Sequence, residues 1–325
     1  MFYKGPKDVQ PMDLSVMMPP RPDSRWRMAK QLGLDTAVVR FYGEDEWWNF
    51  DTLARAKTRF ADHGFSLDVV EDRPPMQETV LGRPGRDEEI QTVKTMLRNM
   101  GRLDIGCYCW VWTELPLGVL RTSEAKPDRG GSTVTGYDHA VMQRGGDHPA
   151  AGITEAELWE NLQYFLDEVV PVAEDAGVDL ALHPDDPPIS PIRGMPRIVT
   201  SVDQYERILS LHESPRHGVT FCQGNFAAMG ADIPSTISQF GDRIHFVHFR
   251  DVRGGPEQFD ETWHDDGPTD MQAAIDAYKH IGFDGPIRPD HVPRLAGEAE
   301  RDDAMPGYTD GGRYFAIGYM KGLLE

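Results

Sequence analysis

Two histidines, a cysteine and an aspartate stand out in the second half of the chain because each ends a short apolar run. They are His183 in ALHPDDPP, Cys222 in TFCQGN, His248 in FVHFRDV and Asp290 in RPDH. Imidazole, thiolate and carboxylate together suit a borderline divalent cation, and the thiolate and carboxylate make the ligand set anionic. Taken singly, each has an ordinary structural reading: a histidine at a strand end is usually hydrogen-bonded framework, and a buried cysteine is usually a small hydrophobe. Four ligand-type residues at the ends of four successive runs are hard to obtain from packing alone.

Polar residues follow each of these positions. Asp185 and Asp186 come after His183, Asn225 after Cys222, Arg250 after His248 and His291 after Asp290. Arg121 and Arg250 are candidates for a carboxylate clamp, because a guanidinium matches the fork of a carboxylate. Asp185, Asn225 and His264 (in WHDDG) are further candidates for substrate contact. The alternatives are a turn cap for Asp185, an internal ion pair for Arg250 and a solvated loop around His264. Cys107 and Cys109 form a C-x-C pair whose alternation puts both side chains on one face of a strand; with no further ligand type obvious beside them, a barrel-lining or packing role is favoured.

The elements that must position these residues alternate regularly. Strand-like runs occur at 13–18, 36–41, 66–71, 104–111, 179–183, 218–222, 244–249 and 286–290. Helical periodicity covers 23–34, 47–63, 86–100, 154–176, 202–211, 233–240, 271–281 and 312–323. Thr154 and Glu157 have capping-box spacing. Eight strand–helix units imply a parallel sheet, and eight close a (β/α)8 TIM barrel, whose active sites lie at the carboxyl ends of the strands. An open doubly wound sheet would bring a glycine-rich phosphate loop after its first strand; the segment there is PPRPDS. The expectation is one barrel domain over residues 1–325, with insertions at about 112–152 and 253–268, the first read as a long loop.

Composition bounds the partners. The 325 residues carry 33 Lys and Arg against 53 Asp and Glu, a net charge of −20, which repels phosphate backbones and anionic bilayers. No nucleic-acid or membrane role is expected, and an anionic substrate would need a local cation. Three cysteines give no disulfide framework. The segment MFYKGPKDVQ lacks the apolar run of a signal peptide, so a cytoplasmic enzyme is expected.

The motifs also have a recognisable order. HPDDPP, the F-C-x-G-x turn, IHFVHFR, the F-x-E-x-x-H-x-D-G-x-x-D-M run from Phe259 to Met271, RPDH, and PGYTDGGR from Pro306 to Arg313 occur in the sequence order of the mannonate dehydratase family. The chain resembles the barrel type of that family from about Gly152 onward. Nearer the amino terminus the likeness reduces to strand rhythm with CYCW and LRT. The resemblance implies a xylose-isomerase-like barrel and a divalent cation, commonly manganese, with iron, cobalt or magnesium as alternatives. It implies His183, Cys222, His248 and Asp290 as the metal ligands and His291 and Tyr308 as the proton-transfer residues. The implied reaction is dehydration of D-mannonate to 2-keto-3-deoxy-D-gluconate, a β-elimination in which the C2 proton and the C3 hydroxide leave.

The chain departs from the family on the substrate side. Cys109 stands where an Asn is common, without the N-F-M-P run, and the D-W-T-R-T element is reduced to Val119–Leu120–Arg121–Thr122. An isomerase, epimerase or lyase acting on a related acidic or oxidised sugar is the alternative. A non-catalytic sugar-acid binder and a nuclease are weaker ones. The sequence leaves a homo-oligomer open.

Overall fold

The computed structural model describes residues 12–115, 120–298 and 305–325. The amino-terminal segment judged above for a leader and Val119 of the reduced motif lie outside these. Twelve strands occur in chain order: β1 (Asp13–Met18), β2 (Thr36–Val39), β3 (Ser66–Glu71), β4 (Cys107–Trp110), β5 (Ser123–Pro127), β6 (Thr133–Asp138), β7 (Asp179–Leu182), β8 (His217–Cys222), β9 (Ile244–Phe249), β10 (Val252–Gly255), β11 (Gln258–Glu261) and β12 (Pro286–Pro289). Eight of them close a parallel barrel in the order β1-β12-β9-β8-β7-β4-β3-β2. The fold is thus the (β/α)8 barrel that the alternation predicts.

These strands read as nearly continuous apolar runs because both faces are covered. Outward side chains join one large core beneath the helices. Inward ones fill the barrel: Met17, Val38, Val69, Cys107, Cys109, Ala181 and Phe246 pack together, with Tyr308 against them. Both cysteines of the C-x-C pair face this interior. The helix Glu155–Ala176 begins at the predicted capping box: Thr154 Oγ1 accepts from the Glu157 amide at 3.2 Å, and Glu157 Oε2 accepts from the Thr154 amide at 2.8 Å. It ends at Gly177, in the left-handed conformation that suits glycine.

The two insertions are where sequence rhythm and structure part. Residues 112–152 are not simply a long loop: they contain β5 and β6. The second insertion contains the hairpin β10–β11, and together the four strands form one antiparallel sheet in the order β10-β11-β6-β5. Neither hairpin could bury a face alone; pairing β11 with β6, with Phe259 opposite Tyr137, supplies the missing partner. A short helix, Gln223–Ala228, directly after Cys222 was also not anticipated. Among the described residues, no helix is long and apolar enough to cross a membrane.

Candidate metal centre and active site

Barrel register sets the site. Cys222 at the end of β8 lies opposite His248 of β9, and His248 lies opposite Arg288 of β12. His183 and Asp290 each follow the last residue of their strand by one position. The donor atoms of His183, Cys222 and His248 all fall within 4.8 Å of one another. Asp290 Oδ2 is 4.0 Å from Cys222 Sγ and 3.7 Å from His248 Nδ1. Donors sharing one ion at bonds of about 2.0–2.3 Å stand roughly 3–4.6 Å apart, so the spacing of His183, Cys222 and His248 suits one divalent cation, with Asp290 beside them.

The imidazoles are oriented for this. His183 Nδ1 lies 2.7 Å from the Pro184 carbonyl, so a proton there leaves Nε2 free as a donor. His248 Nε2 faces Glu71 Oε2 at 3.4 Å, while its Nδ1 faces Asp290. Burial pushes the His183 pKa down and favours the neutral, ligating form. Burial pushes the Asp290 carboxyl up, but Arg288, His291, His248 and Arg250 together outweigh it and hold the group well below the usual carboxylate range.

A second group, Glu71, Cys109 and His248, also has donor atoms within 4.8 Å. Arg288 occupies Glu71 with two hydrogen bonds, at 2.8 and 2.6 Å, and gives Asp290 of the first group one, at 2.8 Å. Burial also pushes the Cys109 thiol up, away from the thiolate a metal needs.

His291 and Tyr308 meet beside Asp290. The Tyr308 hydroxyl donates to Asp290 Oδ1 at 3.0 Å and lies 3.3 Å from His291 Nε2. Gly307, at φ +80°, presses the preceding turn onto the ring; a Cβ there would sit 3.1 Å from His291 Nδ1. Burial raises the phenol pKa and lowers that of the imidazole. Near neutral pH the pair therefore presents a phenol that can donate and an imidazole that can accept a proton.

A cleft of about 750 Å³, counting its open part, lies over these groups and is lined by His183, Asp185, Asp290, His291 and Tyr308 among others. Arg121, Arg250, Asn225 and His264 are not among its lining residues, and neither are Cys222 and His248. The Arg121 and Arg250 side chains are at most 1% exposed and hold internal carboxylates. Arg121 takes Asp186 at 2.7 and 2.9 Å and Glu261 at 2.7 Å. Arg250 takes both oxygens of Glu261 at 3.0 Å, Asp186 at 3.0 Å, Asn225 Oδ1 at 2.9 Å and Asp290 Oδ2 at 3.1 Å. This explains the F-C-x-G-x turn: a Cβ on Gly224 would lie 2.4 Å from Arg250 Nη1. His264 is buried, with Nε2 at 2.8 Å from the Phe249 carbonyl, and neither covers the mouth nor meets solvent. Asp185 lines the cleft but is bound by Arg197 at 2.9 Å and by the Val199 amide at 2.9 Å.

Glu71, Arg288, Asp186 and Glu261 complete the polar framework. Glu71 carries the signal that found His183, a ligand-type residue at the carboxyl end of a barrel strand. Arg288 sits two residues before Asp290, on the same face. Glu261 lies in an insertion whose pairing with β6 no local pattern reveals.

Fold and site together define a class: barrel enzymes of xylose-isomerase-like architecture with a candidate cation site at the strand ends. Within that class the match is narrower. The family described as D-mannonate dehydratase (UxuA) matches residues 28–149 and 148–325. The chain is 36% identical over 306 residues to Mannonate dehydratase 2 of Halalkalibacterium halodurans, covering 86% of this chain and 87% of that one. It is 33% identical over 314 residues to the mannonate dehydratase of Enterococcus faecalis, covering 86% of each. The crystal structure of mannonate dehydratase from Streptococcus suis serotype 2 superposes with a TM-score of 0.87 at 29% identity, over 97% of this chain and 94% of that one. The chain belongs to the mannonate dehydratase family. A D-psicose 3-epimerase of Clostridium cellulolyticum, at TM-score 0.63 and 16% identity over 97% of this chain and 100% of that one, shares the fold alone.

Proposed function

We propose that this chain dehydrates a sugar acid, with D-mannonate as substrate and 2-keto-3-deoxy-D-gluconate as product, using one divalent cation, manganese first among candidates. His183, Cys222, His248 and Asp290 would hold the ion. Bound there, it would supply Lewis acidity that draws charge from the substrate and makes the C2 proton easier to remove. The supporting observation is the Tyr308 hydroxyl, set between Asp290 and His291 at 3.0 and 3.3 Å.

β-Elimination needs one group to take the C2 proton and another to give a proton to the departing C3 hydroxyl. His291 and Tyr308 supply an acceptor and a donor on one wall of the cleft. Asp290 accepts from the phenol and so fixes its orientation. The ion pairs of Arg121 and Arg250 with Asp186 and Glu261 hold the wall rigid. A cytoplasmic enzyme of sugar-acid breakdown is the setting this reading implies.

The test is direct. Protein stripped with a chelator and reloaded with manganese should convert D-mannonate to a product one water lighter. An isomerase or epimerase would leave the mass unchanged. Activity that survived both chelation and Cys222→Ser would overturn the reading.

A further inference from the structure

The buried framework is short of positive charge before any ligand arrives. Arg121, Arg250 and Arg288 face four carboxylates: Glu71, Asp186, Glu261 and Asp290. A divalent ion with a thiolate at Cys222 adds one net positive charge and brings this group to neutrality. Nothing is then left over for the carboxylate of an incoming sugar acid, so another cation must meet it.

Four guanidiniums line the cleft: Arg40, Arg73, Arg197 and Arg288. Three are already committed. Arg73 pairs with Glu114, Arg197 with Asp185, and Arg288 with Glu71 and Asp290. The Arg40 guanidinium makes no hydrogen bond or ion pair with any described residue. Asp72 feels its charge, but one oxygen of that carboxylate accepts from the Phe41 amide at 2.7 Å and the other from the Arg73 amide at 2.8 Å. Among the described residues, Arg40 sits over the Tyr42 ring, 5.6 Å from its centroid, which supports the guanidinium without using its donors. Arg40 follows the end of β2 by one residue, at the same mouth as the candidate ligands, and its charge also reaches Tyr308.

We infer that Arg40 is the residue that binds the substrate's carboxylate and selects acidic over neutral sugars. The inference rests on the sugar-acid reading above and names the part of the wall that enforces it. A planar fork of donors with no partner among the described residues suits a carboxylate. Arg121 and Arg250, by contrast, give their Nη donors to Asp186, Glu261 and Asn225.

Steady-state kinetics on manganese-loaded protein tests this. In Arg40→Gln, KM for D-mannonate should rise roughly 10–100-fold, the worth of a charged hydrogen bond, with kcat within a few-fold. Arg40→Lys should recover part of the loss. Inhibition by D-mannitol, which lacks the carboxylate, should not change in either variant, whereas a distorted site would weaken it too. A KM within threefold of wild type in Arg40→Gln, or an equal loss for D-mannitol, overturns the inference. If wild type dehydrates no D-mannonate, the dehydratase reading falls separately. Calorimetric binding of D-mannonate and D-glucuronate to wild type and Arg40→Gln then decides on Arg40: tighter binding by wild type supports it, and equal or absent binding refutes it.

Discussion

Arg288 grips Glu71 through two parallel donors, Nε to Oε2 at 2.8 Å and Nη2 to Oε1 at 2.6 Å. The same guanidinium gives its Nη1 to Asp290 Oδ1 at 2.8 Å, and Glu71 in turn faces His248 Nε2 at 3.4 Å. One ion pair therefore orients two candidate ligands from outside the ligand set. Burial pushes Glu71 up, yet Arg288 and His248 outweigh it and keep the carboxylate charged.

Glu71→Gln should accordingly weaken the site without removing a ligand. Manganese affinity should fall about 10–100-fold, the usual effect of losing an outer partner of a ligating histidine. At saturating manganese, kcat should recover most of its wild-type value. Titration followed by the electron-spin signal of free manganese reads this directly. An unchanged dissociation constant would show that Glu71 does not orient His248.

Tyr308→Phe removes one oxygen from the contact with Asp290 and His291. If the phenol carries a proton in the reaction, kcat should drop roughly 10²–10⁴-fold while KM moves little. His291→Asn should behave similarly. Metal content and melting temperature should stay near wild type in Tyr308→Phe, because Asp290 keeps its bonds to Arg288 and Arg250. A variant retaining more than a tenth of wild-type kcat would remove Tyr308 from the chemistry.

The candidate metal centre was legible because barrel geometry turns a local pattern into a global one. Residues at strand ends converge, so the closeness of His183, Cys222 and His248, with Asp290 beside the last two, could be assembled on paper. The insertions were opaque for the opposite reason. Ser123–Pro127 is SEAKP, with no apolar alternation, and becomes a strand only because Thr133–Asp138 lies beside it. The ion pairs of Arg121 and Arg250 were hidden because the carboxylates that hold them come from that sheet and from the turn after β7. Reading Glu261 as their partner requires knowing that β11 lies over the mouth.

Glu261 gives a sharp contrast with its neighbour. Its side chain is 2% exposed and serves two buried guanidiniums. Asp260, adjacent in sequence, is 36% exposed and pairs with Lys126 at the surface. Glu261→Ala should cost about 3–5 kcal/mol, because Arg121 and Arg250 each lose a buried ion-pair partner and keep donors with nothing to bond. Asp260→Ala should cost no more than about 1 kcal/mol. Urea unfolding of the two variants measures the difference; equal losses would mean that the Glu261 network relaxes or admits water.

His217 links stability to pH at the opposite end of the barrel. It starts β8, is fully buried, and has Nδ1 at 3.0 Å from the His212 carbonyl and, among the described residues, no hydrogen-bond partner for Nε2. Burial lowers its pKa from 6.5 to about 4, with Arg243 adding to the effect. Between those values the unfolded chain binds the proton more readily than the folded one. The contribution is therefore complete above pH 6.5, drains away as pH falls toward 4, and levels off below. Its size from pH 7 to 4.5 is about 2–3 kcal/mol. His264, also pushed down to about 4 by burial, acts in the same direction, so the wild-type slope alone cannot separate the two. The difference between wild type and His217→Asn can. The variant should be less stable at pH 7, and the gap should narrow by that amount at pH 4.5. Parallel stability curves would mean that His217 takes up its proton without unfolding.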